Sequence, residues 1–255
     1  GRHPAWEPGP GGPDLRRLPG GCGRLDDCAG TTEQTRRNTM KRIHVKGNTW
    51  VLEGPQLVGL YQIDESTCLL LDPGSTKLQG EIEAALAQAG LTPVGVLCTH
   101  MHYDHCFGAA FMWETFHVGP EFNRADEPIY KGMGAEIFGP LAQVMKEGFT
   151  PAAARYLTEG DDISFGHHTL TVLSTPGHTP GGICFYCAAE KAVFVGDTLF
   201  YCSVGRTDFP GGDSEALCES VRNKLFTLPE DTRVYPGHGP HTEIGFEKAH
   251  NPYIG

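Results

Sequence analysis

The stretch Val94-Gly95-Val96-Leu97-Cys98-Thr99-His100-Met101-His102-Tyr103-Asp104-His105 decides the reading of this chain. Val94–Cys98 is a short apolar run with the length and β-branched content of a buried strand. It leads directly into three histidines and an aspartate within six residues. Alternate residues of an extended segment project to the same side, so His100 and His102 can grip one ion. A turn or helix starting next would send Asp104 and His105 towards a neighbouring ion. Imidazole and carboxylate together suit zinc, iron or manganese.

The same arrangement of strand then donor recurs three times further on. Leu170–Leu173 leads to Ser174-Thr175-Pro176-Gly177-His178. Val193–Val195 leads to Gly196-Asp197-Thr198, and Arg233–Tyr235 leads to Pro236-Gly237-His238-Gly239. Donors at the ends of several strands can converge on one sheet edge although they are far apart in sequence. Together with the first cluster they supply five histidines and two aspartates, enough for two ions.

Around these motifs the chain alternates strands and helices. Ile43–Val45 and Trp50–Leu52 flank Lys46-Gly47-Asn48 as a hairpin. Strands are expected at Val58–Ile63, Cys68–Leu71 and Ile183–Cys187, and helices at Glu81–Gln88, stopping at Gly90, and at Ser214–Phe226. Residues 107–115 and much of 121–157 read as helical or irregular. The sum is an α/β fold with a mixed sheet in one domain. Cys184 and Cys187, three apart on one strand, face opposite sides and cannot share an ion.

Length and composition set the outer limits. The chain has 255 residues, 39% hydrophobic, and no apolar run of membrane-spanning length. Its formal net charge is −11, which disfavours nucleic-acid backbones and anionic membrane surfaces and leaves a small molecule as the expected partner. Nine cysteines cannot all pair internally, and their spacing forms no disulfide framework, so reduced thiols in the cytosol are expected. Residues 1–39 hold 8 Gly and 5 Pro and lack aliphatic periodicity. That leader is expected to be disordered, and Met40 to be the natural start with a vector-derived or upstream-translated segment before it. Residues 40–255 are expected to form the folded domain.

THMHYDH, TPGHTPGG, FVGDTLF and YPGHG, in this order from about Met40 onward, resemble the metallo-β-lactamase-fold hydrolases. SVGRTDFPGGD at 203–213 is similar to the small bacterial glyoxalase II-like subgroup. The resemblance implies an αββα four-layer sandwich with mixed sheets and the metals at one edge. It implies that His100, His102 and His178 hold one divalent ion, that Asp104, His105 and His238 hold the other, and that Asp197 bridges them. Asp72, in LLLDPG, stands where the family keeps a carboxylate that orients ligand histidines. Zinc is the expected metal, with iron or manganese also compatible. The implied reaction is thioester hydrolysis by a hydroxide shared between the two ions, with Asp104 or Asp197 relaying a proton. Arg206 stands where larger enzymes keep a glutathione-contacting lysine, which makes it a candidate substrate anchor; its other reading is a salt bridge to an acid such as Asp208. A persulfide dioxygenase using one iron shares GRTDF and is the alternative, followed by lactonase or β-lactamase activity on the same fold.

Overall fold

The computed structural model describes residues 40–53, 58–75, 78–133, 152–165 and 168–254. The leader at 1–39 lies outside these residues. Two mixed sheets dominate the body. The first runs in the order β1 (Lys41–Lys46), β2 (Thr49–Glu53), β3 (Val58–Gln62), β4 (Thr67–Leu71), β5 (Thr92–Leu97), β6 (Pro120–Phe122) and β7 (Arg155–Tyr156). Its first four strands are antiparallel and its last four parallel. The second sheet contains β8 (Asp162–Phe165), β9 (His168–Ser174), β10 (Ile183–Cys187), β11 (Ala192–Gly196), β14 (Arg233–Pro236) and β15 (Thr242–Glu243). Between β11 and β14 the chain forms a separate hairpin, β12 (Leu199–Phe200) with β13 (Ser203–Val204).

The layering follows from which face each side chain takes. Leu69 and Leu71 of β4 point between the sheets and meet Val172, Phe185, Phe194 and Tyr235 of the second sheet. Leu70 points the other way, into a cluster with Ile82 and Leu86 of helix α1 (Gln79–Ala89) and Met112 of α3 (Gly108–Phe116). In the second sheet Val193, Val195 and Val234 face outward against Val221 of α4 (Ser214–Asn223) and Ile244 of α5 (Ile244–His250). Strands buried on both faces between helices give the αββα order, and they explain why these strands read as continuous apolar runs rather than alternating ones. Cys184 and Cys187 fall in different clusters, on opposite faces of β10 as expected. The seven described cysteines are free. No helix among the described residues is long and apolar enough to cross a membrane.

Several sequence expectations need adjustment. Within 121–157, residues 134–151 lie outside the described residues, and the described part holds helical turns together with two short strands: β6 and β7 extend the first sheet by pairing in parallel with β5 and with each other. These strands have two or three residues, too few for an alternation to show. The strand expected at 94–98 spans Thr92–Leu97, and the helix expected to end at Phe226 ends at Asn223 and passes into a 3-10 turn at Leu225–Thr227.

Four donor-bearing loops leave the ends of β5, β9, β11 and β14. The last three strands run the same way, since β9 and β11 are each antiparallel to β10 and β14 is parallel to β11. The backbone N–H of Ile183 donates to the carbonyl of Thr99 at 2.9 Å, joining the start of the loop after β5 to the second sheet. At the other end of β11, buried Glu190 accepts from the Asn48 N–H at 2.7 Å and from the Thr49 hydroxyl, and so ties the first hairpin to the second sheet.

Candidate metal centre

Thr99 begins the loop after β5, and its N–H and hydroxyl both donate to Asp72, at 2.7 and 2.6 Å. His100 follows, fully buried among other rings. His102 is extended and caps the four-residue helix α2 (Tyr103–Cys106), whose turn carries Asp104 and His105 round to the neighbouring side. All seven residues expected as donors stand together at this edge. The site nitrogens of His100, His102 and His178 lie within 4.8 Å of one another, as do the donor atoms of Asp104, His105 and His238. Within the first group His102 Nδ1 is 2.9 Å from His178 Nε2. Within the second, His238 Nε2 is 3.1 Å from Asp104 Oδ2 and 3.3 Å from His105 Nε2.

Asp197 stands between the groups. Its Oδ1 is 3.3 Å from His105 Nε2, and its Oδ2 is 3.6 Å from His178 Nε2 and 3.8 Å from His238 Nε2. Burial works against ionisation of Asp197, but the surrounding His105, His178 and His238 hold its carboxyl down at about 2. Burial, together with the other rings, pushes His100 well below the ordinary histidine range and His102 down to about 4. These rings are therefore neutral, as a metal-binding imidazole must be. His105 is also penalised by burial, yet Asp197 and Asp72 outweigh this and raise it well above the ordinary value. The hydrogen bond to Asp104 raises His238 despite some burial.

The nitrogens pointing away from the site are anchored. His105 Nδ1 donates to Asp72 Oδ2 at 3.0 Å, and His178 Nδ1 donates to the carbonyl of Arg206 at 2.7 Å. His100 Nδ1 lies 3.1 Å from the Thr99 hydroxyl. Such bonds fix ring orientation and tautomer. Two buried atoms that face the site, His100 Nε2 and Asp197 Oδ1, make no hydrogen bond. Orphaned buried polar atoms are costly, and donors of this chemistry in this number fit divalent ions. Gly237 leaves the space open: a Cβ there would lie 2.8 Å from Asp197 Oδ1 and collide with the His105 ring.

Arg206 is paired through its fork with Asp208, at 2.6 Å for each bond, and lies over the Phe209 ring at 4.0 Å. The pair is exposed, and Phe209 in turn meets His102 edge-on at 5.5 Å. Sequence reasoning did not pick out Asp126. It is fully buried, and its carboxylate accepts from the Met101 N–H at 3.1 Å, the Thr179 hydroxyl at 2.8 Å and the Gly181 N–H at 2.6 Å. No local motif marks it, because its partners lie 25 to 55 residues away.

The pattern of the Metallo-beta-lactamase superfamily matches residues 51–238, a span that contains the strand-end loops with all seven donors. The chain belongs to this superfamily. Among curated superfamily relatives, the probable metallo-hydrolase YqgX of Bacillus subtilis is 35% identical over 79% of this chain and 94% of its own. The hydroxyacylglutathione hydrolase GloC of Haemophilus influenzae is 36% identical over 75% of this chain and 89% of its own. Among solved structures, BLEG-1, described as a B3 metallo-beta-lactamase, superposes with a TM-score of 0.69 at 32% identity, covering 85% of this chain and 99% of that one. TTHA1623 in a di-iron-bound form superposes with a TM-score of 0.65 at 36% identity, covering 79% and 97%. As a superfamily metallo-hydrolase, the chain presents its His/Asp cluster as the candidate site for divalent metal.

Proposed function

We propose that the chain is a dinuclear metal-dependent hydrolase of thioesters, taking a small substrate of the hydroxyacylglutathione kind. The observation that carries this reading is the place of Asp197, whose two oxygens face His178 on one side and His105 and His238 on the other. One carboxylate can therefore serve both donor groups. The likeness to GloC supports the substrate class. Zinc is the proposed metal, and the di-iron form of TTHA1623 supports iron as the other candidate. Two divalent ions bound here would supply an acidified water and polarise the thioester carbonyl.

The chain's own residues do the rest. His100, His102 and His178 are kept neutral by burial and present fixed ring nitrogens. Asp104 is the more exposed of the two site carboxylates, with its Oδ2 3.1 Å from His238 Nε2, and is the proton relay towards the leaving group. A thiolate leaves with little help, so this relay contributes less than it would for an amide. Arg206 binds a substrate carboxylate by exchanging its exposed partner Asp208. The likeness to BLEG-1, described as a B3 metallo-beta-lactamase, supports β-lactam hydrolysis as a further reading on the same fold. The persulfide dioxygenase reading has GRTDF at 205–209 in its favour, but one iron would leave the preassembled Asp104/His105/His238 group without use.

Metal content per chain, measured with turnover of thioesters, lactones, β-lactams and persulfides, tests the reading. Two ions and preferential thioester turnover are expected. One iron per chain with oxygen uptake on persulfide would replace the hydrolase with the dioxygenase.

A further inference from the structure

We propose that Asp126 is a positioning residue that sets the distance between the two loops carrying His100, His102 and His178. It rests on reading those three histidines as metal ligands. The argument starts from the donors that Asp126 gathers. Met101 lies between His100 and His102, Thr179 directly follows His178, and Gly181 lies three residues after it. All three donate to one carboxylate, with Met101 and Thr179 sharing Oδ2 and Gly181 taking Oδ1. The carboxylate is therefore a bracket between the loop after β5 and the loop after β9, which come from different sheets.

The chemistry of the bracket is specific. An ionised carboxylate only accepts, and it can accept three bonds from three donors. An asparagine in the same place must turn its amide N–H₂ towards at least one N–H. A hydrophobic residue would leave two backbone N–H groups buried without partners. Gly181 belongs to the same device. A Cβ at 181 would lie 2.7 Å from both the backbone nitrogen and Oδ1 of Asp126, so only glycine lets the second loop come this close. Asp126 touches no site atom itself. Its partners adjoin His100, His102 and His178, whereas Asp72 bonds both to His105 and to Thr99, whose hydroxyl meets His100. Asp72 thus touches both donor groups, and Asp126 braces only the first.

The test uses the full chain, stripped with a chelator and reloaded with zinc or, separately, with ferrous iron. It measures ions retained per chain against a competing chelator, and the melting temperature of the stripped protein. Three variants are compared: Asp126→Asn; Thr179→Val, which removes a single donor with little change of shape; and Glu190→Gln, which weakens a buried carboxylate clamp at the far end of β11. Asp126→Asn and Thr179→Val are expected to weaken retention of one ion by about 10- to 100-fold and to leave the other in place. Adding Asp126→Asn to His238→Ala should remove the remaining ion, and adding it to His178→Ala should change retention no further. Glu190→Gln should lower the melting temperature and leave both ions bound. If Asp126→Asn and Thr179→Val behave like Glu190→Gln, or release both ions equally, Asp126 is only structural and the inference fails. If Asp126→Asn does not fold, Thr179→Val alone decides by the same criterion. If the wild-type chain itself retains no zinc and no iron, the metal reading falls, and this inference falls with it.

Discussion

At the scale of single residues, charge and orientation separate Asp197 from Asp72. Asp197 carries the negative charge that two dications would share. Asp197→Asn keeps the shape and loses that charge, so at least one ion per chain and most turnover should be lost, as elemental analysis and a thioester assay would show. Asp72 acts one step back, holding Thr99 and His105 while sitting at φ 51°, a left-handed conformation that asparagine also tolerates. Asp72→Asn should therefore fold normally and bind metal about 10- to 100-fold more weakly, read by titration against a chromophoric chelator. Asp197 and Asp72 were legible in the sequence because each lies beside a strand end in a recognisable motif. Asp126 was not legible, since a buried acid is defined by the distant donors around it. Arg206 was half legible. Its ion pair with Asp208 is present, but it is exposed and screened by solvent, so Arg206→Ala should leave the melting temperature nearly unchanged. The same variant should lose about ten- to a hundredfold in kcat/KM on anionic thioesters and much less on neutral esters.

At the scale of elements, the helices over the second sheet show how local signals fix a boundary. Asp213 caps α4, its Oδ1 accepting from the N–H groups of Glu215 and Ala216 at 2.9 and 3.0 Å. Asp213→Ala should lower stability by about 0.5–2 kcal/mol, seen as a lower denaturation midpoint with unchanged metal content. The start of that helix could be read from Ser214 onward. Its end could not, because Lys224 and Leu225 remain good helix formers and the change to a 3-10 turn is imposed by packing of Leu225 in the outer cluster. The strands β4, β9, β10 and β11 were readable as apolar runs. The short strands β6, β7, β12, β13 and β15 were not, for each exists through its pairing partner and carries almost no pattern of its own. The hairpin β12–β13 is held from outside: buried Glu247 on α5 accepts from the Cys202 N–H at 3.0 Å and also from the hydroxyl of Thr242 at 2.6 Å. No pattern around Cys202 announces a partner 45 residues away.

At the scale of the whole molecule, the donors come from loops of both sheets, so metal should strengthen the fold as well as serve the reaction. Stripping the protein with a chelator should lower its melting temperature, and zinc should restore it. A ligand present at 100 times its dissociation constant adds about 2.7 kcal/mol, which is large against the total stability of a domain. An unchanged melting temperature on stripping and reloading would mean that the edge is rigid without ions. The order of the loops along the chain has one further consequence, for synthesis on the ribosome. Asp72 and the His100–His105 cluster are made early, His178 and Asp197 much later, and His238 last, just past β14. The His100/His102/His178 group is therefore complete in the growing chain 60 residues before His238 is added to the Asp104/His105/His238 group.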